Sequence, residues 1–210
     1  DLVFKNKIDS LKNLVSVNNP NRDTHETSVV MKRLDDVYYY NVYNNNIENS
    51  QTVSVKYTAS KYDVALLHNH PINTLPIYSP RDIVDLFDNY NFVTESRKEE
   101  YTSYLVNFNN TTYAIKMENV GVLNDLIGEF NLNTEQGKKD ADDRIMAIYK
   151  KYDFKETQTY TQDMAEELFL NVMNDPEFGN STSIGIYRQD NGKWGKLSKS
   201  GGSVISTPCP

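Results

Sequence analysis

Two histidines stand two residues apart at the end of an apolar run, where Val64-Ala65-Leu66-Leu67 leads into His68-Asn69-His70-Pro71. An apolar run of this length reads as a buried strand. On a strand, residues i and i+2 share a face, so His68 and His70 can aim both imidazoles at one point. Pro71 cannot donate to a strand ladder and is expected to end the strand. A carboxylate follows at Asp82, in the first turn of an expected helix. Two imidazoles and a carboxylate are a common ligand set for catalytic zinc, and three protein ligands leave a fourth position for water.

The segment Ser79-Pro80-Arg81-Asp82 also reads as a helix start. Serine at the N-cap, proline at N1 and an acid at N3 come close to a capping box. That role explains Ser79 and Asp82 without a metal. It is also compatible with one, because a capped helix is a rigid mount for a ligand.

Taken together, His68-Asn69-His70-Pro71, a short loop and Ser79-Pro80-Arg81-Asp82 resemble the signature of the JAMM (MPN-plus) metalloprotease family. That family also carries a glutamate upstream, at the edge of an early strand. Glu26, opening Glu26-Thr27-Ser28-Val29-Val30-Met31, stands in the corresponding place. The resemblance covers about residues 24–117. It implies a Zn2+ held by His68, His70 and Asp82, with Glu26 as general base and Ser79 helping to hold the tetrahedral intermediate. It implies an α/β (α+β) fold of JAMM/MPN type, a cytidine-deaminase-like core sheet flanked by helices. The implied activity is hydrolysis of a peptide or isopeptide bond, so the expected partner is a protein or peptide substrate. The family's glycines after the glutamate are absent here, which leaves an alternative: a catalytically silent module of the same fold that binds a protein partner. A zinc deaminase is a third reading suggested by the shared fold, but that chemistry expects a Cys-x-x-Cys ligand pair, and the chain has one cysteine, Cys209.

The elements that must position these residues follow from periodicity. Phe4, Ile8, Leu11 and Val15 recur at helical spacing over residues 2–17. Strands are expected at 26–32, 36–43, 51–58 and 62–68, with turns at Asp35-Asp36 and Asn44-Asn45-Asn46. A helix from Pro80 to about Tyr90 puts Ile83, Leu86, Phe87 and Tyr90 on one face and leaves Asp82 and Asp85 off it. The charged segment 92–100 reads as loop or short helix. Strands at 102–108 and 111–117 flank a turn at Asn109-Asn110. Beyond residue 118, helices are expected at 119–130, 134–151 and 161–174, with Asn119, Thr134 and Thr161 as N-caps. A hairpin of 183–189 and 192–198 turns at Asn191-Gly192 and is followed by a Gly-, Ser- and Pro-rich tail. The expected organisation is a catalytic core with an N-terminal helix over 1–118. A helical extension with a C-terminal hairpin follows over 119–210 and packs on that core.

Composition bounds the remainder. The chain has 210 residues, enough for one large domain with a real core. Lys and Arg total 22 against 29 Asp and Glu, a net charge of −7 with no basic run. That balance argues against a nucleic-acid partner. No apolar run reaches the length of a membrane span. The 15 tyrosines mean that packing relies on aromatic bodies with polar tips. The start at Asp1 rather than Met, the Asn and Tyr richness and the tail lead to the expectation of an exported protein, as part of a larger chain. Composition says nothing of oligomeric state.

The other candidates have plainer readings. His25 neighbours Glu26, so on a strand it faces away from any metal that Glu26 faces. Glu48, in an Asn-rich turn, is a fallback base. Asp140-Ala141-Asp142-Asp143 lacks the glycine and distal glutamate of a calcium-binding loop and reads as a solvated helix face. Trp194 reads as a cross-strand packing residue.

Overall fold

The alternating segments assemble into one sheet, with helices on both faces. The computed structural model describes residues 2–20, 22, 26–35, 37–44 and 59–210. The expected strand 51–58, His25 and Glu48 lie outside the described residues. In chain order the elements are α1 (Leu2–Val15), β1 (Thr27–Leu34), β2 (Val37–Asn44), β3 (Asp63–His70), α2 (Pro80–Phe92), β4 (Thr102–Asn107) and β5 (Thr112–Met117). Then come α3 (Val120–Ile127), α4 (Glu135–Lys151), α5 (Gln162–Met173), β6 (Ile184–Asp190), β7 (Lys193–Ser200) and β8 (Ser203–Pro208). The fold is mixed α/β: among the described residues, an open sheet of eight strands in the order β2-β1-β3-β4-β5-β6-β7-β8. Among these strands β3 and β4 run parallel and the other described neighbours are antiparallel.

That one parallel pair fixes where the site can form. Parallel strands need a crossover, and α2 supplies it. The chain leaves β3 at its carboxyl end, loops through 71–79 and enters α2. The N-terminus of α2 therefore begins near the strand end that carries the histidines. Such strand ends are where α/β sheets tend to place ligands.

The helices sit where their apolar stripes require. Ile8, Leu11 and Val15 of α1 are buried. Ile8 and Leu11 pack with Val29, Ala65, Leu67 and Val106 on one face of the sheet. Each buried Val, Leu or Ile among them contributes roughly 2 kcal/mol of apolar transfer. On the other face Ile83, Leu86 and Phe87 of α2 join Leu105, Tyr113 and Ile115 from β4 and β5. Ile145 and Tyr149 of α4, and Phe169 of α5, complete that core. The expected N-caps Asn119, Thr134 and Thr161 each accept a backbone N–H of the first turn. Among the described residues, no helix is long and apolar enough to cross a membrane.

Residues 119–210 do more than pack on the first part: β6 hydrogen-bonds to β5, so the sheet runs through both. The end of the chain also differs from the expected hairpin. β6, β7 and β8 form a three-stranded meander, and what reads as a tail is its last strand. The signal was present in Gly201-Gly202, both at positive φ (58° and 85°). Only such residues turn a two-residue hairpin easily. Asn191 and Gly192 do the same at the expected turn (φ 51° and 79°).

Candidate metal centre

β3 ends on His68 and His70, which are 4% and 3% exposed. Their backbones are held from both sides: Ser28 of β1 pairs with His68, and Leu105 and Asn107 of β4 pair with His68 and His70. Alternation puts both rings on the α2 face, with centroids 5.1 Å apart. Asp82 approaches from the first turn of α2. Its Oδ1 lies 3.2 Å from Nε2 of His68, and its Oδ2 lies 3.5 Å from Nε2 of His70. One ligand atom from each of the three residues falls within 4.8 Å of the others, so the group could hold a metal ion.

The capping box of α2 is what aims Asp82. Ser79 N–H donates to Asp82 Oδ2 at 2.6 Å and the Ser79 hydroxyl donates to the same oxygen at 2.8 Å. In return Asp82 N–H donates to Ser79 Oγ at 3.3 Å. The capping box and the ligand position expected from the sequence are therefore the same geometry. Burial works to raise the Asp82 carboxyl, but the facing His68 and His70 and the Ser79 backbone N–H hold it below the ordinary carboxylate range. The positive end of the helix dipole favours the same charged form.

The two imidazoles are prepared differently. His70 Nδ1 lies 2.7 Å from the carbonyl oxygen of Leu75. A carbonyl only accepts, so Nδ1 carries the hydrogen. Nε2 then faces Asp82, and Glu26 Oε1 at 3.6 Å, with either a lone pair or a second proton. A lone pair between two carboxylates is unfavourable unless a cation lies among them. His68 is the sharper case: both ring nitrogens are buried without a hydrogen-bond partner. Its ion-pair distance to Asp82 is not matched by hydrogen-bond geometry. A buried polar atom without a hydrogen bond is costly and asks for an explanation; for Nε2, which faces Asp82 Oδ1 at 3.2 Å, an ion shared with that carboxylate is one. The two shortest nitrogen–oxygen distances, 3.2 Å to Oδ1 and 3.5 Å to Oδ2, lie near the ~3.3 Å between ligand atoms held at ~2.0–2.1 Å in a tetrahedron, and one atom from each of the three residues stays within 4.8 Å of the others.

Glu26 stands just before β1. Ser28 pairs with His68, and the same register continued outward by two residues sets Glu26 opposite His70. Its side chain remains 20% exposed, with Oε1 3.6 Å from His70 Nε2. The structure thus brings together all five residues singled out by the sequence: Glu26, His68, His70, Ser79 and Asp82.

Several supporting residues are not apparent from the sequence. Asn107, fully buried, donates through Nδ2 to the Pro76 carbonyl at 2.8 Å, steadying the segment whose Leu75 carbonyl orients His70. Its Oδ1 accepts from the N–H groups of Asn109 and Thr111. Tyr78 donates to the Ser103 carbonyl at 2.7 Å, and Tyr149 donates to the Tyr78 carbonyl at 2.9 Å. Those bonds fix the residue just before the cap. The only sequence signal for them was chemical type, because asparagine and tyrosine in an apolar setting must find partners.

Comparison with known proteins adds no relative: no family model matches the chain, and neither a curated protein nor a solved structure matches it.

Proposed function

We propose that the chain is a zinc-dependent peptidase or isopeptidase with a core of JAMM/MPN type. The observation that carries this reading is the convergence of His68, His70 and Asp82 with buried, unsatisfied imidazole nitrogens and with Glu26 beside His70. The alternative is a catalytically silent protein-binding module of the same fold; the His68, His70 and Asp82 group is what favours the enzyme over it. The arrangement of β1, β3, α2 and β4 around the group is compatible with the cytidine-deaminase-like sheet that the resemblance implies.

His68, His70 and Asp82 would hold the zinc. Zinc bound there would acidify a water and polarise the scissile carbonyl. Glu26 takes the water's proton and later returns it to the leaving amine, which departs poorly as an anion. Its partial exposure lets it meet solvent and substrate while its backbone stays next to the sheet. Ser79 holds the ligand carboxylate through its hydroxyl and its N–H. To donate to a developing oxyanion as well, the hydroxyl must release Asp82 Oδ2, which then keeps the Ser79 N–H.

The test measures metal content and cleavage together. Wild-type protein is expected to bind about one zinc per chain, and His68→Ala and Asp82→Ala to lose it. Glu26→Gln is expected to keep the zinc and lose roughly 10²–10⁴ of the cleavage rate on peptide and isopeptide-linked libraries. Stoichiometric zinc retained by both ligand variants sinks the ligand assignment. Undiminished cleavage by Glu26→Gln removes Glu26 as the base.

A further inference from the structure

The ladder between β1 and β3 reaches its last pair at Ser28 and His68. Continued outward, the register sets Thr27 opposite Asn69 and Glu26 opposite His70. At Thr27 the bond between the two segments is made by a side chain: Thr27 N–H donates to Asn69 Oδ1 at 2.7 Å. Asn69 is completely buried. Because neighbours on a strand alternate faces, its side chain points away from the imidazoles that flank it, toward α1. There its Nδ2 reaches the Leu11 carbonyl at 3.5 Å. An amide suits this place, with an acceptor for Thr27 and a donor for the helix, and no charge to bury.

We propose that Asn69 is a positioning residue for Glu26: its side-chain amide carries the pairing of the two segments past the end of the ladder and so sets Glu26 against His70. The proposal rests on the reading of Glu26 as the general base. The fixed atom is the amide nitrogen of Thr27, which belongs to the peptide unit joining Glu26 to Thr27. Holding that unit limits where the Glu26 carboxylate can go. The two histidines that flank Asn69 keep their own backbone partners in β4, so their place does not depend on this bond. A base displaced by about 1 Å can cost 10²-fold in rate.

The experiment compares the full chain, loaded with zinc, with its Asn69→Ala and Asn69→Asp variants. Asn69→Asp retains the acceptor for Thr27 and, in the neutral protonated form that burial favours, also a donor for the Leu11 carbonyl. Amide hydrogen exchange at Thr27 is expected to speed up roughly tenfold or more in Asn69→Ala and to stay near wild type in Asn69→Asp. Exchange at Val29 and Val30 should be unchanged in both. Zinc content should be unchanged. Asn69→Ala should lower kcat by about 10² at constant KM, Asn69→Asp should restore it, and Asn69→Ala should add nothing in a Glu26→Gln background. Unchanged Thr27 exchange in Asn69→Ala overturns the proposal, as does a loss that multiplies that of Glu26→Gln. Should Asn69→Ala not fold, the wild-type Thr27 amide decides: protection comparable to that of Val29 within the ladder supports the proposal, and exchange as fast as that of a free amide overturns it. A wild-type protein that cleaves nothing removes the peptidase reading, while Thr27 exchange still decides whether Asn69 holds the segment.

Discussion

Replacing Ser79 by alanine separates its part in capping α2 from its part in holding the proposed metal ligand Asp82. The hydroxyl makes two bonds, accepting from Asp82 N–H at 3.3 Å and donating to Asp82 Oδ2 at 2.8 Å. Ser79→Ala removes both, and spares the backbone N–H that reaches the same carboxylate at 2.6 Å. Loss of an N-cap costs about 1 kcal/mol. The bond to Oδ2 has an ionised acceptor and would cost more if nothing replaced it, but Asp82 keeps a second donor and some contact with solvent. The total is therefore about 1–2 kcal/mol. For a chain of this length the melting temperature falls roughly 2–4 °C per kcal/mol. The same bond orients a proposed zinc ligand, and loss of such support typically costs 10–100-fold in metal affinity. Thermal melting of the metal-free protein and competition against a chelator measure the two effects independently. Ser79→Thr, which keeps the hydroxyl, should restore most of both. Unchanged melting would show that Ser79 does not cap α2 in solution. A drop in melting with unchanged zinc affinity would show that the cap carries no part of the ligand geometry.

Two further expectations concern charge in the fold. Burial pushes the Asp85 carboxyl up to about 6, only partly offset by Arg81 and Lys138. A folded-state value above the unfolded one means that stability is full below the unfolded range and falls as pH rises from about 4 to about 6. With a third of that side chain still reaching solvent, Asp85→Asn is expected to raise stability at neutral pH by about 1 kcal/mol or less. Urea titrations of both proteins at pH 4 and 7 check this, and an equal gain at both pH values would refute it. Glu166, 1% exposed, accepts from Tyr113 at 2.6 Å and from Arg188 through both oxygens at 2.9 and 2.8 Å. Glu166→Ala should cost roughly 2–3 kcal/mol, by leaving the Tyr113 hydroxyl without its acceptor and the Arg188 guanidinium with Asp190 alone; a loss below 1 kcal/mol in a urea titration would contradict that account.

Local chemistry made much of the centre legible. The alternation of a strand puts His68 and His70 on one side whatever the strand packs against, and Ser79-Pro80-Arg81-Asp82 starts a helix wherever it lies. The same holds for the stripe of Ile8, Leu11 and Val15, and for the caps at Asn119, Thr134 and Thr161: each depends on neighbours within a turn. The sequence also marked Glu26, but only by its place before a strand. Its approach to His70 depends on the antiparallel register of β1 against β3, set by residues about forty positions apart. A slip of one residue would turn Glu26 to the opposite face. Tertiary structure likewise decided which carbonyl orients His70, what Asn69 and Asn107 hold, and that residues 119–210 continue the sheet of the first part. Spacing along a chain encodes which face a side chain takes, since that is a property of the local backbone. Which partner waits on that face is set by long-range pairing, and it appears only when the strands are laid side by side.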